Sequence, residues 1–386
     1  MDEERFIKKF EEVFRATPEI ISSAPGRINI IGEHTDYNQG YVLPAAIHMS
    51  IQFLAGRRDD DRVHIWAENF GDESSFSSRN IPTLRKHHWD SYIKGIFWIL
   101  EKNGFSPGGI NGLVWGDIPI GSGLSSSAAL EVSVINGLDM LFQLGIAPME
   151  KAKLSQQAEN DFVGMKCGLM DQFISVFGED NTAIFLDCLS FDFENIPLNL
   201  NKYDLEFMVY DSRVKRELSR SEYNTRRSES ADADLYLRSF GLPGYRGTTL
   251  DMLKMQKDQM DLVLYRRARH VISENERVQK AKQALQNDDF LTLGQLLFQS
   301  HVSLRDDYEV SCPELDLLYE FGLEFSGCLG SRLTGAGFGG SGIALVKKKD
   351  ADVFIREILD LAQKKGYRIP RVFPVKIDKG ASTSIL

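Results

Sequence analysis

Apolar positions along the chain repeat in two rhythms, and the stretches where neither holds are the most informative. Phe6, Phe10 and Phe14, with Val13, fall on one face of a helix predicted over 2–15. The rhythm then breaks. In 23–44, SAPGRINIIGEHTDYNQGYVLP, apolar Ile28, Ile30 and Ile31 interleave with turn formers and with Arg27, Glu33, His34 and Asp36. No amphipathic helix has that makeup, so the segment reads as a short strand running into a loop that presents polar side chains. Alternation in 47–66 (IQFLAG, VHIWA) predicts a hairpin, and the polar stretch 75–88 a loop. Helical spacing resumes over 89–102. A short apolar run at 112–117 predicts a strand, followed by a Gly- and Ser-rich loop and a long helix to about Leu144.

The second half alternates in the same way. Residues 148–162 read as a helix with Glu159 on its last turn, and Gly164 and Gly168 bracket a turn into Asp171. TAIFLD and LEFMVYD read as strands, and the charged stretch 215–230 as a solvated helix face. The signal is weakest over 231–265, where 250–265 is helical by pattern; long helices are predicted over 265–297, and HVSLRDDY at 301–308 fits no pattern. SRLTGAGFGGSGIALV ends in an apolar run that reads as a strand; 350–365 is an amphipathic helix and 372–377 a final strand. No internal repeat, low-complexity tract or linker is evident.

Composition narrows the class. The 386 residues, with 42% hydrophobic and 26% charged, suit a globular protein of two domains or of two lobes in one compact unit. A net charge of −10 argues against nonspecific nucleic-acid binding and against attraction to anionic membranes, though not against a nucleotide in a locally positive site. Cys167, Cys188, Cys312 and Cys328 form no CxxC pair, which suggests neither a zinc site nor a redox motif and fits a reducing compartment. The charged start of the chain has no apolar signal region, and no run approaches membrane-spanning length, so the expectation is cytoplasmic.

Two segments carry candidate chemistry. The polar loop of 23–44 suits a polyhydroxylated ligand, because carboxylates accept hydrogen bonds from hydroxyls; a solvated connection is the plainer alternative. In IPIGSGLSSSAALE, glycines let backbone approach a ligand, and amides at a helix start favour phosphate. Ser125, Ser126 and Ser127 add hydroxyls for phosphate or Mg²⁺, with helix capping as the alternative. The loop lacks the lysine of a Walker A motif. Gly335, Gly337 and Gly340 satisfy G-x-G-x-x-G, but a dinucleotide fingerprint would open a helix, and a tight hairpin is equally consistent.

Taken together, the three motifs resemble those of the GHMP kinase superfamily. GRINIIGEHTDYNQGYVLP is similar to the signature of its galactokinase family, IPIGSGLSSSAALE to the phosphate-binding motif and LTGAGFGGSGIALV to the third motif. CGLMDQF, SEYNTRR, YRRARHV and SLRDDYEVSCPELD resemble further galactokinase segments, so the likeness runs nearly end to end, least clearly over 231–261. Ser341 and Ala45 stand where family members often carry Cys, small-for-small swaps that put nothing catalytic in doubt; Ser122 stands where Ala or Gly is common, which implies a slight change of that loop.

The resemblance implies an α+β fold of two lobes: 1–175, completed by 372–386, and 176–371, with the active site between them. It implies ATP-dependent phosphorylation of D-galactose at its anomeric hydroxyl. Asp171 would face that hydroxyl, as base or as orienting group, with Arg27 beside it and near the γ-phosphate. Glu33, His34, Thr35, Asp36 and Tyr223 would contact the sugar. Gly121, Ser122, Gly123, Leu124, Ser125, Ser126 and Ser127 would cradle the phosphates of ATP, Ser127 and Glu159 would hold Mg²⁺, and Trp89 would lie near adenine. A monomer without nucleic-acid or membrane partners is expected. The alternatives are a kinase for N-acetylgalactosamine or L-arabinose, and a galactose- and ATP-binding sensor without turnover.

Overall fold

The computed structural model describes residues 3–82, 88–214 and 219–386, so parts of the 75–88 and 215–230 stretches, and Asp2 of the first predicted helix, lie outside the described residues. A six-stranded sheet runs Ser382–Ile385, Ile20–Asn29, Pro44–Arg57, Ile110–Gly116, Arg62–Ala67, Asp72–Ser77 in spatial order. Its one parallel pairing joins Ile110–Gly116 to Arg62–Ala67. A four-stranded antiparallel sheet follows the order Cys328–Thr334, Ser341–Lys347, Leu205–Asp211, Arg371–Val375. Tyr41–Val42, Thr182–Asp187 and Phe193–Pro197 form a third, small sheet. With helices Glu3–Phe14, Asp90–Lys102, Ser126–Phe142, Ser219–Ser239, Leu262–Gln286, Phe290–Asp306 and Ala351–Lys364, the class is α+β, as expected.

Four expectations change in the fold. The hairpin over 47–66 does not form: Ile110–Gly116 inserts between its two strands. That strand is buried on both faces, and such a strand belongs at a sheet centre. Part of the polar 75–88 stretch belongs to an edge strand, Asp72–Ser77, where polar side chains are tolerated. Most of the strand predicted over 372–377 pairs with Leu205–Asp211; its end touches Pro44–Arg57 through Lys376 and Ile377, and Ser382–Ile385 makes the full return to Ile20–Asn29. The unassigned HVSLRDDY begins inside the helix Phe290–Asp306, and the predicted helix over 250–265 breaks where the Asp261 carboxylate caps Leu262–Gln286.

One core joins the two large sheets. Ile28, Ala45 and Ile47 from the first pack in the same cluster as Phe207, Val209, Ile343 and Leu345 from the second, with Leu293 and Leu297. Among the described residues no helix is long and apolar enough to cross a membrane.

Candidate active site

Arg27 sits at the centre of the site because of a local irregularity in its strand. The pairing of Ile20–Asn29 with Pro44–Arg57 shifts register between Pro25 and Arg27, and a bulge of this kind re-aims the next side chain. Gly26 permits it: a Cβ there would stand 2.5 Å from the Leu124 carbonyl oxygen, which accepts the Arg27 amide at 3.1 Å. The guanidinium is buried, and each of its three nitrogens makes a hydrogen bond. Nε and Nη2 donate to Asp171 Oδ1 and Oδ2 at 2.9 and 3.0 Å, and Nη1 donates to the Gly123 carbonyl at 2.7 Å. This two-pronged geometry matches a carboxylate, and a lysine cannot reproduce it. Asp171 stands in the first turn of Met170–Phe177, with its side chain 26% exposed toward the cavity.

The phosphate-loop candidate turns through left-handed backbone at Gly121, Gly123 and Ser125 before Ser126–Phe142 begins. Ser125 does not cap that helix with its side chain; its Oγ donates to Asp171 Oδ2 at 2.5 Å. The capping alternative therefore falls, and an uncapped helix start beside glycine turns suits an anion. Gly121, Gly123, Ser125, Ser126 and Ser127 line the cavity. Leu124 instead packs in the core, and the Ser122 hydroxyl is buried without a hydrogen-bond partner, so these two contribute backbone at most.

On the other side of Arg27 lie the polar residues of the first loop. Glu33, His34, Asp36 and Tyr37 face the cavity together with Tyr223. His34 has φ of 62°, a strained position for a side-chain-bearing residue and frequent at functional sites. Its Nδ1 shares a hydrogen bond with the Tyr37 hydroxyl at 2.8 Å, which meets the Tyr308 hydroxyl at 2.9 Å. Burial, with the charge at His270, pushes the His34 imidazole down to about 3, so it is neutral. Burial, and then the Asp171 charge, push Asp36 up to about 7. Asp36 fits only because residue 168 is glycine: a Cβ there would lie 2.0 Å from Asp36 Oδ2. Thr35 does not face the cavity; its hydroxyl bonds the Gly32 and Tyr41 carbonyls and closes the loop.

Glu159 occupies a π-helical turn, Ala158–Val163, rather than the last turn of an α-helix. Such wider turns recur at functional sites. Its buried carboxyl is pushed up to about 7 by burial and the Asp171 charge, against hydrogen bonds from Ser127, Cys167 and Gln172. Trp89 stands at the far end, its indole N–H donating to Asp72 Oδ2 at 3.0 Å. The Phe70 ring lies nearly parallel to it, 10° between planes and 6.3 Å between centroids, with Phe70 51% exposed.

Arg27, Asp171, the sugar-side loop residues Glu33, His34 and Asp36, the serines 125–127, Glu159, Trp89 and Phe70 line one cavity of about 490 Å³. Its wall also includes Gly335 and Ala336 of the third glycine-rich stretch, which is a hairpin loop between Cys328–Thr334 and Ser341–Lys347. The hairpin alternative was correct as structure, and the loop still closes the site. Tyr37, Phe70, Tyr92 and Ala336 escaped the sequence reading because nothing in their local pattern separates them from packing or turn residues.

The sequence matches the family model described as the galactokinase galactose-binding signature over residues 8–57. It also matches the GHMP kinases N terminal domain over 91–179 and the GHMP kinases C terminal domain over 281–366. It is 43% identical over 350 residues to a galactokinase of Thermotoga petrophila, covering 91% of this chain and 95% of the relative. It is 40% identical over 380 residues to a galactokinase of Clostridium acetobutylicum, covering 97% of each. Its fold superposes on the crystal structure of Lactococcus lactis galactokinase complexed with galactose with a TM-score of 0.94 at 37% identity, covering 98% and 99% of the two chains. A mevalonate kinase structure superposes with a TM-score of 0.67 at 17% identity over 92% of this chain and 98% of the other, a likeness of fold alone.

Proposed function

The chain belongs to the galactokinases of the GHMP kinase superfamily, and from that premise we propose how its own residues carry out the reaction. The enzyme transfers the γ-phosphoryl group of ATP to the C1 hydroxyl of D-galactose, giving α-D-galactose 1-phosphate and ADP. The observation that carries the assignment of residues is the Arg27–Asp171 fork, which joins the polar sugar-side loop to the phosphate loop inside one cavity.

Galactose lies against Glu33, His34, Asp36 and Tyr223. Buried acceptors there match sugar hydroxyls and penalise a ligand that leaves them unpaired. Asp171 meets the C1 hydroxyl. Its oxygens already accept from Arg27 and Ser125, so it orients the nucleophile and receives the proton late, as the new O–P bond forms and the bond to the ADP oxygen breaks. A loose transition state needs little more than positioning and charge neutralisation, and Arg27 supplies both beside the γ-phosphate. The amides of 121–127 hold the phosphates. The Phe70–Trp89 pair takes the adenine between or against its rings, a sequence-tolerant stacking surface.

Ser127 and Glu159, both on the cavity wall, are hard oxygen donors that fit Mg²⁺. This ion takes few protein carboxylates and completes its shell with phosphate oxygens and water, so the lack of a cluster of three metal-binding side chains among the described residues is no obstacle. When bound, Mg²⁺ would neutralise phosphate charge. Four free cysteines and the use of ATP fit a cytoplasmic enzyme. The lobes are assigned as 1–175, completed by 376–386, whose Lys376 and Asp378 bond His48 and Ala46, and 176–375.

The test is ADP release with Mg-ATP across galactose, glucose, N-acetylgalactosamine, galacturonate and L-arabinose. Release with galactose alone is expected. Release with another sugar in its place would move the assignment to a related sugar 1-kinase. Binding of galactose and ATP without release would leave a sensor.

A further inference from the structure

Arg332 is fully buried, yet neither the phosphate loop nor the Asp171 centre uses it. It stands on the strand Cys328–Thr334, which leads into the third glycine-rich loop, and reaches across to the sugar-side loop. Its Nη1 donates to the Asn29 and Ile30 carbonyls, both at 3.0 Å. Among the described residues its Nε has no hydrogen-bond acceptor, and Nη2 makes only a long ion pair, 3.5 Å to Glu33 Oε1. A guanidinium buried with an unpaired Nε and one long ion pair is costly, and an apolar residue of similar volume would fill the same space at no such cost. Burial disfavours its charged form, and the Glu33 and Glu274 carboxylates oppose that.

What this charge adjoins is held with unusual completeness. The Gly32 amide donates to Glu274 Oε1 at 3.0 Å, and the Glu33 carbonyl meets His270 Nε2 at 3.0 Å. Glu33 Oε1 accepts from the Gly335 amide at 2.7 Å and the Thr334 hydroxyl at 3.0 Å, with Arg332 behind them. All donors converge on Oε1. Among the described residues Oε2 receives none, while Glu33 lines the cavity.

We propose that Arg332 is a positioning residue for sugar recognition: its charge pins Oε1 of Glu33 so that Oε2 is presented to a sugar hydroxyl purely as an acceptor. The strand of the third motif thereby serves the sugar as well as the nucleotide side. This inference rests on the reading of Glu33 as a sugar-binding residue.

The test measures galactose Kd by calorimetry without nucleotide, and KM for galactose and for ATP, in wild type, Arg332→Met, Arg332→Lys, Glu33→Gln and the Glu33→Gln/Arg332→Met double variant. Arg332→Met should weaken galactose binding about tenfold or more while ATP KM moves by less than about twofold, with Arg332→Lys between it and wild type. In the Glu33→Gln background the same substitution should change galactose Kd by less than about twofold, because the carboxylate charge it pins is already gone. Additive losses, or equal losses for both substrates, would make Arg332 a packing residue and overturn the inference. Should Arg332→Met fail to fold, Arg332→Lys and the double variant, which removes both charges, decide by the same criteria. A wild type that binds no galactose would bring down the functional reading and this inference together. A wild type that binds galactose, with unchanged Kd in Arg332→Met, would overturn this inference alone.

Discussion

At the scale of single residues, the chemistry depends on directed contacts rather than on charge alone. Arg27 makes three side-chain hydrogen bonds to two partners, Asp171 and Gly123. Arg27→Lys keeps a cation but loses the fork, and kcat should fall by about a hundredfold or more with ATP KM little changed. Asp171→Asn should abolish turnover, by about a thousandfold at least, while nucleotide binding persists. Steady-state kinetics with an ATP-binding assay checks both, and near-normal turnover of Asp171→Asn would remove it from the mechanism. Asp36 gives a prediction in pH. Its carboxyl rises from 3.8 to about 7 on folding, so between those values the folded protein holds more protons than the unfolded chain. Its contribution to stability therefore falls as pH rises through that window. Each tenfold displacement of the proton equilibrium is worth about 1.4 kcal/mol. Asp36→Asn should thus gain in melting temperature relative to wild type as pH rises from 3.8 to about 7. A constant difference across that range would show that Asp36 titrates normally.

At the scale of elements, turns and bulges do the placing. The bulge at Gly26 aims Arg27, the left-handed turn at Ser125 frees a helix start, and the π-turn swings Glu159 to Ser127. Gly168 makes room for a carboxylate: Gly168→Ala would drive a methyl into Asp36 Oδ2, where the present separation from an ideal Cβ is 2.0 Å. The expected result is a rise of about tenfold or more in galactose KM with ATP KM nearly unchanged. Equal KM values for mutant and wild type would mean that the turn relaxes and Asp36 keeps its place. The three glycine- and polar-rich motifs were legible because irregular composition breaks the period-2 and period-3.6 rhythms. The bulge and the π-turn were not, since each changes geometry without changing the pattern of apolar positions.

At the scale of the molecule, the lobes are not independent. Ile28 and Leu43 share a core with Phe207 and Ile343, and Asn29, Gly32, Glu33 and Tyr41 bond Thr334, Glu274, Gly335 and Asn275 across the site. Calorimetric unfolding should therefore show one cooperative transition, with calorimetric and van't Hoff enthalpies equal, and galactose should shift it upward as a whole. Two resolved transitions, only one responding to galactose, would show that the lobes unfold separately.

The sequence by itself determined the class of elements, the order of the motifs and the residues able to do the chemistry, because periodicity and side-chain type are local properties. It placed Arg27, Asp171, Glu33, Asp36, Ser127 and Glu159 among the candidates. Only the tertiary structure decided which candidates meet. It turned Thr35, Ser122 and Leu124 away from the cavity, inserted Ile110–Gly116 into a supposed hairpin, and sent Ser382–Ile385 rather than Arg371–Val375 back to the first sheet. It also brought Arg332 behind Glu33 and Phe70 beside Trp89. Strand order and cross-chain contacts are fixed by packing between segments hundreds of residues apart, and a local pattern carries no record of its distant partner.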